Sequence, residues 1–258
     1  MITKKSALVT LLFVLFYSAL YAQVNTESFR TSDKKMGFSL ISDIDLTLMA
    51  GNTDFQYFGT NTRVNYNRSN SDYSFLILNG GFGRNEGKTF FSQALVHFRN
   101  VDGLSDNLQL EEFIQYDNNK SLLLLNRYLA GTGLRFKIYK GEKIAFRAGS
   151  NIFYEWEKYN LPVQSKHGRE TKVFRFNTYF TCKINIKEDL TFLSVSYLQP
   201  DIGNIKDLRV LSNNALQVKL SENLRLQVKL DARYDSRSAD GIKSFDLFSK
   251  LGLAIKFD

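Results

Sequence analysis

Few residues in this chain have the type and spacing that chemistry requires. Gly87-Lys88-Thr89 has the ending of a phosphate-binding loop, but Phe82 stands where such a loop needs its first glycine, and no helical pattern follows. Histidine occurs only at His97 and His167, and Cys182 is the single cysteine, so neither a His-rich metal site nor a disulfide framework can be built. A histidine base for acyl transfer would want a serine in a Gly-x-Ser-x-Gly turn, which the chain lacks. His97 therefore reads as an interior histidine, and no cofactor is expected. The richer set is ionic: Arg63, Arg99, Arg127, Arg135, Arg147, Arg175, Arg225 and Arg233, set among Glu111, Glu155 and Asp231. These residues recur at alternate positions of long polar-apolar stretches, and that spacing points to the elements that hold them.

Arg225 to Asp235 shows the pattern: Leu226, Val228, Leu230, Ala232 and Tyr234 alternate with Arg225, Gln227, Lys229, Asp231, Arg233 and Asp235. Successive side chains of a strand point to opposite faces, so one face here is apolar and the other charged. The alternation lasts about ten residues or more in many segments, the length a tilted strand needs to cross a bilayer. Twelve such strands can be parsed from Phe38 to Phe257. Val228 then faces lipid, where a charge would be costly, while Lys229 faces inward, where its loss should matter far less. The third strand, from Tyr73, is apolar on both faces, so its phase stays open. The fifth, Asn107 to Tyr116, puts Glu112 on the face of Leu108, Leu110 and Ile114; either a bulge or another register resolves this. Trp156, Tyr197, Tyr234 and Phe245 fall at one set of strand ends, and Tyr66, Phe136, Tyr139 and Phe257 at the other, as two aromatic girdles would.

The ends and the charge agree with an exported barrel. Residues 1–22 have the form of a secretory signal, with Lys4 and Lys5 before the apolar stretch Ala7 to Leu20 and Ala22 as the cleavage point. Residues 23–37 form a periplasmic lead and 38–258 the barrel. Losing Lys4 and Lys5 takes the formal charge from +8 to +6. The remaining basic residues are spread singly, without the block that nucleic acid would call for.

By the end of the first strand the chain resembles a known family. Leu46-Thr47-Leu48-Met49-Ala50-Gly51-Asn52-Thr53, then Tyr116-Asp117, then Arg127 with Gly131-Thr132-Gly133, are similar to the salt-induced outer-membrane proteins (YdiY-like), a family of unknown function. The resemblance implies a Gram-negative outer-membrane barrel and supplies no catalytic residues. The expected fold is thus an all-β, antiparallel, up-and-down transmembrane barrel of about twelve strands. The expected role is structural or that of a narrow pore passing small polar solutes, with no enzymatic activity. The alternative is a barrel hydrolase acting on lipid or peptide. The expected partners are outer-membrane lipid and the barrel-assembly machinery, not nucleic acid. Inside, the eleven charged residues either pair and close the lumen or line it, in which case an arginine ring favours anions.

Overall fold

The computed structural model describes residues 36–49 and 55–257; the signal segment, nearly all of the lead, the connection 50–54 and residue 258 lie outside them. Twelve strands follow one another: β1 Gly37–Met49, β2 Phe55–Asn67, β3 Tyr73–Asn85, β4 Lys88–Gly103, β5 Leu108–Asn119, β6 Leu124–Lys140, β7 Ile144–Tyr159, β8 Glu170–Asn185, β9 Leu190–Pro200, β10 Leu208–Lys219, β11 Leu224–Asp235 and β12 Phe245–Phe257. Each pairs antiparallel with its chain neighbours, and β1 pairs with β12 to close the barrel. Closure satisfies the backbone groups that an open sheet would leave at its edges.

The alternation sets which face lies inside. Ile44, Leu46, Val228, Leu230, Phe174 and Phe176 are exposed on the outer wall, while Asp43, Arg63, Arg99, Arg175 and Gln227 are buried within. A soluble protein would invert this; lipid selects an apolar outside. Directly opposed residues, followed from strand to strand, form a row: Lys219, Arg225, Ala254, Asp43, Asn61, Asn79, Leu95, Asp117, Arg127, Glu157 and Thr171. The row begins beside the β10–β11 turn and ends beside the β7–β8 loop. It passes from one rim to the other, as the shear of tilted strands requires.

The rims differ. One holds the start of β1, the end of β12 and the turns after β2, β4, β6, β8 and β10; the other holds the long connections 160–169, 201–207 and 236–244. We call these the terminal rim and the loop rim. The two-residue turn Glu86-Gly87 also lies on the loop rim, with φ of 47° and 74°. Both residues sit in the left-handed region, which suits a hairpin turn and favours glycine at the second position. That turn, not phosphate binding, accounts for Gly87-Lys88-Thr89.

Several expectations are corrected. β5 runs unbroken through Glu112, which pairs with Asn100 and Thr132 and faces outward; the irregularity lies at the other end, between Asp117 and Asn119. No bulge at Glu112 rescues the pattern. Tyr197 does not belong to the outer girdle, for it points inward against Tyr179, with ring centroids 5.7 Å apart. Other girdle residues do face out. Near the loop rim Tyr128 stacks on Trp156 at 5.2 Å, and at the terminal rim Phe38 meets Tyr66 at 4.7 Å. The open phase of β3 is resolved: Tyr73, Phe75 and Ile77 point inward and join Leu95 and Val101 in an apolar cluster on the inner wall.

Candidate functional site

The interior toward the loop rim is filled by one ionic network. Glu155 and Glu157 lie two apart on β7, so both point inward. Arg127 of β6 donates through Nε to Glu157 at 2.7 Å, and Arg175 of β8 donates to Glu155 at 2.8 Å. These are contacts between neighbouring strands. Arg209, on β10, is not on a neighbouring strand. It reaches past β8 and β9 to donate to Glu155 at 2.7 Å and to both oxygens of Glu157 at 3.0 Å, while its Nε holds Asp235 at 2.9 Å. Asp207 binds Arg175 at 3.0 Å, and Arg233 binds Asp235 at 2.9 Å. Forked guanidinium groups suit such shared, bidentate geometry, which single ammonium groups cannot match.

Above the network, Leu122, Leu124, Tyr159, Leu161 and Ala239 pack into an apolar cap, with Leu123 and Ile242 against them. The loops that form it are tied together. Asn160 N donates to Leu123 O at 2.8 Å, and Lys166 N donates to the Asp240 carboxylate at 2.5 Å. The cap keeps loop-rim water from the ion pairs and so strengthens them.

A second level crosses the lumen nearer mid-barrel. Tyr179 of β8 donates to Glu111 of β5 at 2.5 Å, Arg99 holds the same carboxylate at 3.2 Å, and Arg135 of β6 donates to the Tyr73 hydroxyl of β3 at 2.9 Å. Space for the Tyr179 ring comes from glycine, since a Cβ on Gly149 would lie 2.2 Å from it, and glycine relieves the neighbouring strand as well. A Cβ on Gly133 would lie 2.2 Å from Asn151 Cβ and 2.3 Å from Ser150 O. The Gly131-Thr132-Gly133 stretch therefore gives room for neighbouring side chains, as the sequence suggests.

The eleven sequence candidates all face inward, but they form no single site. Arg127, Glu155, Arg175 and Arg233 belong to the loop-rim network; Arg99, Glu111 and Arg135 belong to the middle level. Arg63 lies over the Phe75 ring at 3.6 Å and donates to Asn65 at 2.6 Å. Asp231 accepts from Asn213 at 2.8 Å. Arg147 and Arg225 stand apart at the terminal rim, half-buried. Sequence reasoning missed Arg209 and Asp207, and it put Asp235 on the charged face of its strand without counting it among the candidates. The available signal was the phase of β10, which places Arg209 on the side of Asn213. It was obscured because Leu211 and Ala215 share that inner face.

One single-residue reading changes and one stands. Lys229 is not dispensable: its ammonium is paired with the fully buried carboxylate of Asp43. His97 lies between Phe75 and Phe113, with centroids 5.9 and 5.8 Å away, and its Nδ1 meets Gln115 Oε1 at 3.0 Å. An imidazole held by two rings and an amide has the setting of a structural group, and the hydrolase alternative gains no support from it.

A closed antiparallel barrel with an apolar outer wall, aromatic bands and a charged interior is an outer-membrane β-barrel. More particularly, the chain belongs to the family described as "Protein of unknown function, DUF481", which it matches over residues 43–257. No curated protein matches it in sequence. Among solved structures it is similar to the NanC porin, with 12% identity and a TM-score of 0.48, covering 85% of this chain and 99% of that one. It is also similar to the translocator domain of the autotransporter NalP from Neisseria meningitidis, with 10% identity and a TM-score of 0.49 over 88% and 90% of the two chains. The KdgM porin follows at 8% identity and 0.44 over 86% and 99%.

Proposed function

We propose that this barrel is a narrow pore of the bacterial outer membrane, with its terminal rim toward the periplasm. The observation that carries the proposal is Arg209 spanning from β10 to Glu155 and Glu157 on β7, which closes the sector behind β6–β10 to solutes. What stays half-buried and polar is a strip along β12, β1, β2, β3 and β4, including Lys250, Asp45, Asn61, Asn79 and Gln93. Asp45 and Lys250 face each other there at 3.6 Å. A polar strip confined to five of twelve strands suits water and small polar solutes, not the larger cargo of a sixteen-stranded porin. Export by a cleaved signal at residues 1–22, a periplasmic lead at 23–37, insertion through the barrel-assembly machinery and contact with outer-membrane lipid belong to the same reading. So does the salt-induced character that the resemblance suggests, which expression measured against external salt would check.

Single-channel recording in planar bilayers tests the pore. The expected conductance is small and increases when Arg209→Gln and Glu157→Gln are combined, because that pair no longer bridges the lumen. A current as large as that of a general porin would overturn the proposal, as would a barrel that carries no current in either form.

A further inference from the structure

Among the described residues, three pairs of cations are directly opposed across strands inside this barrel. In one of them both cations have acids, for Lys229 is paired with Asp43 and Lys250 with Asp45. The other two pairs lie at the terminal rim. Lys137 of β6 is directly opposed to Arg147 of β7, and Lys219 of β10 to Arg225 of β11. All four lie on inward-facing positions. Lys137 is satisfied by the backbone oxygen of Asp106 at 2.7 Å, and Lys219 by Glu222 at 2.5 Å. Neither Arg147 nor Arg225 has a carboxylate against it among the described residues. Lys183 of β8, opposed to Ala145, lies two pairs along from Arg147 on the same arc. Like charges directly opposite on a sheet are destabilising. The turns of this arc do little to offset them: Lys140, Lys143 and Lys187 stand there beside Glu142, Glu188, Asp189 and Glu222.

We infer that the terminal rim is a binding vestibule for a soluble phosphate-bearing anion. Two half-buried guanidinium groups without acids offer bidentate donors that match phosphate oxygens in shape and charge. The Lys137 ammonium, held by a backbone oxygen and no acid, supplies opposite Arg147 the second charge that an oligophosphate would meet. The groups point into the lumen and away from the outer wall, which favours a solute entering from that end over a lipid headgroup alongside the barrel. The inference depends on the inward face of β6–β8 and β10–β11, not on the pore, and a binding assay requires no current.

The test is titration of the whole barrel in zwitterionic micelles with sodium tripolyphosphate, by calorimetry at low and at moderate salt. Saturable binding is expected, weakening as salt rises. Arg147→Gln combined with Arg225→Gln should weaken it at least tenfold, Arg147→Lys with Arg225→Lys should weaken it less, and Lys166→Gln on the loop rim should leave it unchanged. Heat-modifiable mobility in gels verifies that each variant is folded. The double glutamine variant should also withstand denaturant better than the parent at low salt without phosphate, because it removes two repulsions. Tripolyphosphate binding that is undetectable at millimolar concentration, or unaltered in the double glutamine variant, overturns the inference. So does a result in which only micelles doped with phosphatidylglycerol respond to the two substitutions, since a lipid headgroup then satisfies these cations.

Discussion

Replacing Arg209 by methionine should be among the most damaging single changes in the interior. Its guanidinium group contacts three carboxylates, Glu155, Glu157 and Asp235, at 2.7 to 3.0 Å, and every group involved is buried. Methionine fills much of the same volume but neutralises nothing. Arg127, Arg175 and Arg233 would remain to balance Glu155, Glu157, Asp235, Asp207 and Asp117, so the acid excess grows by one. Removing one partner of a buried ion pair typically costs about 3–5 kcal/mol, because the penalty is that of the charge left behind. With a slope near ~3 kcal/mol per molar urea, that moves the unfolding midpoint down by roughly 1–2 M. Trp156 is the only tryptophan, and it neighbours both glutamates in sequence, so its fluorescence reports unfolding of this region directly. Adding Glu157→Gln to Arg209→Met should recover part of the loss, since it removes one orphaned charge. Lys187→Met, on an exposed turn, serves as the control. If Arg209→Met moves the midpoint no further than Lys187→Met, the network does not close the lumen as described. If Glu157→Gln deepens the loss instead of relieving it, uncompensated charge is not the cause.

Val228→Arg and Lys229→Leu should both destabilise, for opposite reasons. The first puts a cation on the lipid face at a cost of about 2–4 kcal/mol near mid-bilayer, and unfolding from liposomes should show it; the second strands the Asp43 carboxylate and should be relieved by Asp43→Asn, whereas Val228→Arg should not. Gly133→Ala should cost about 1–3 kcal/mol in denaturant midpoint, because its new Cβ meets backbone and Cβ atoms that cannot swing aside. Asp72, on the β2–β3 turn, accepts the Gly103 N–H at 2.8 Å and the Ser69 hydroxyl at 2.7 Å, and the backbone bond foremost holds its carboxyl below the usual range. A depressed value in the folded state means stabilisation present above the unfolded value and lost as pH falls through the folded one. Exchange protection of the Gly103 amide should therefore persist at neutral pH, fade on strong acidification, and be absent throughout in Asp72→Ala.

The parts of this barrel that the sequence revealed are those governed by a period of two. In β11 the alternation of Leu226, Val228 and Leu230 with Gln227, Lys229 and Asp231 fixes both the strand and its phase, because lipid and lumen make opposite demands. β3 resisted the same reasoning for a physical cause. The lumen beside it is not aqueous, so Phe75 and Ile77 can point inward as readily as Leu76 and Leu78 point out. Tyr197 was misplaced because its position at a strand end was weighed without its phase, which sets it beside Val195 and Gln199 on the inner face. Arg209 was missed for a different reason. Two of its three acid partners, Glu155 and Glu157, are three strands away, and no local pattern states which acids a long side chain will reach across a filled interior. Alternation identifies which residues enter the lumen, but which of them meet depends on shear, and shear is set by all twelve registers together. This is why Arg147 and Arg175, indistinguishable in the sequence as inward arginines, diverge in the structure. Residues 147 and 175 lie near opposite ends of the barrel wall, so Arg175 meets Glu155 and Asp207 beneath the cap, while Arg147 is opposed to Lys137 and Thr181 at the terminal rim.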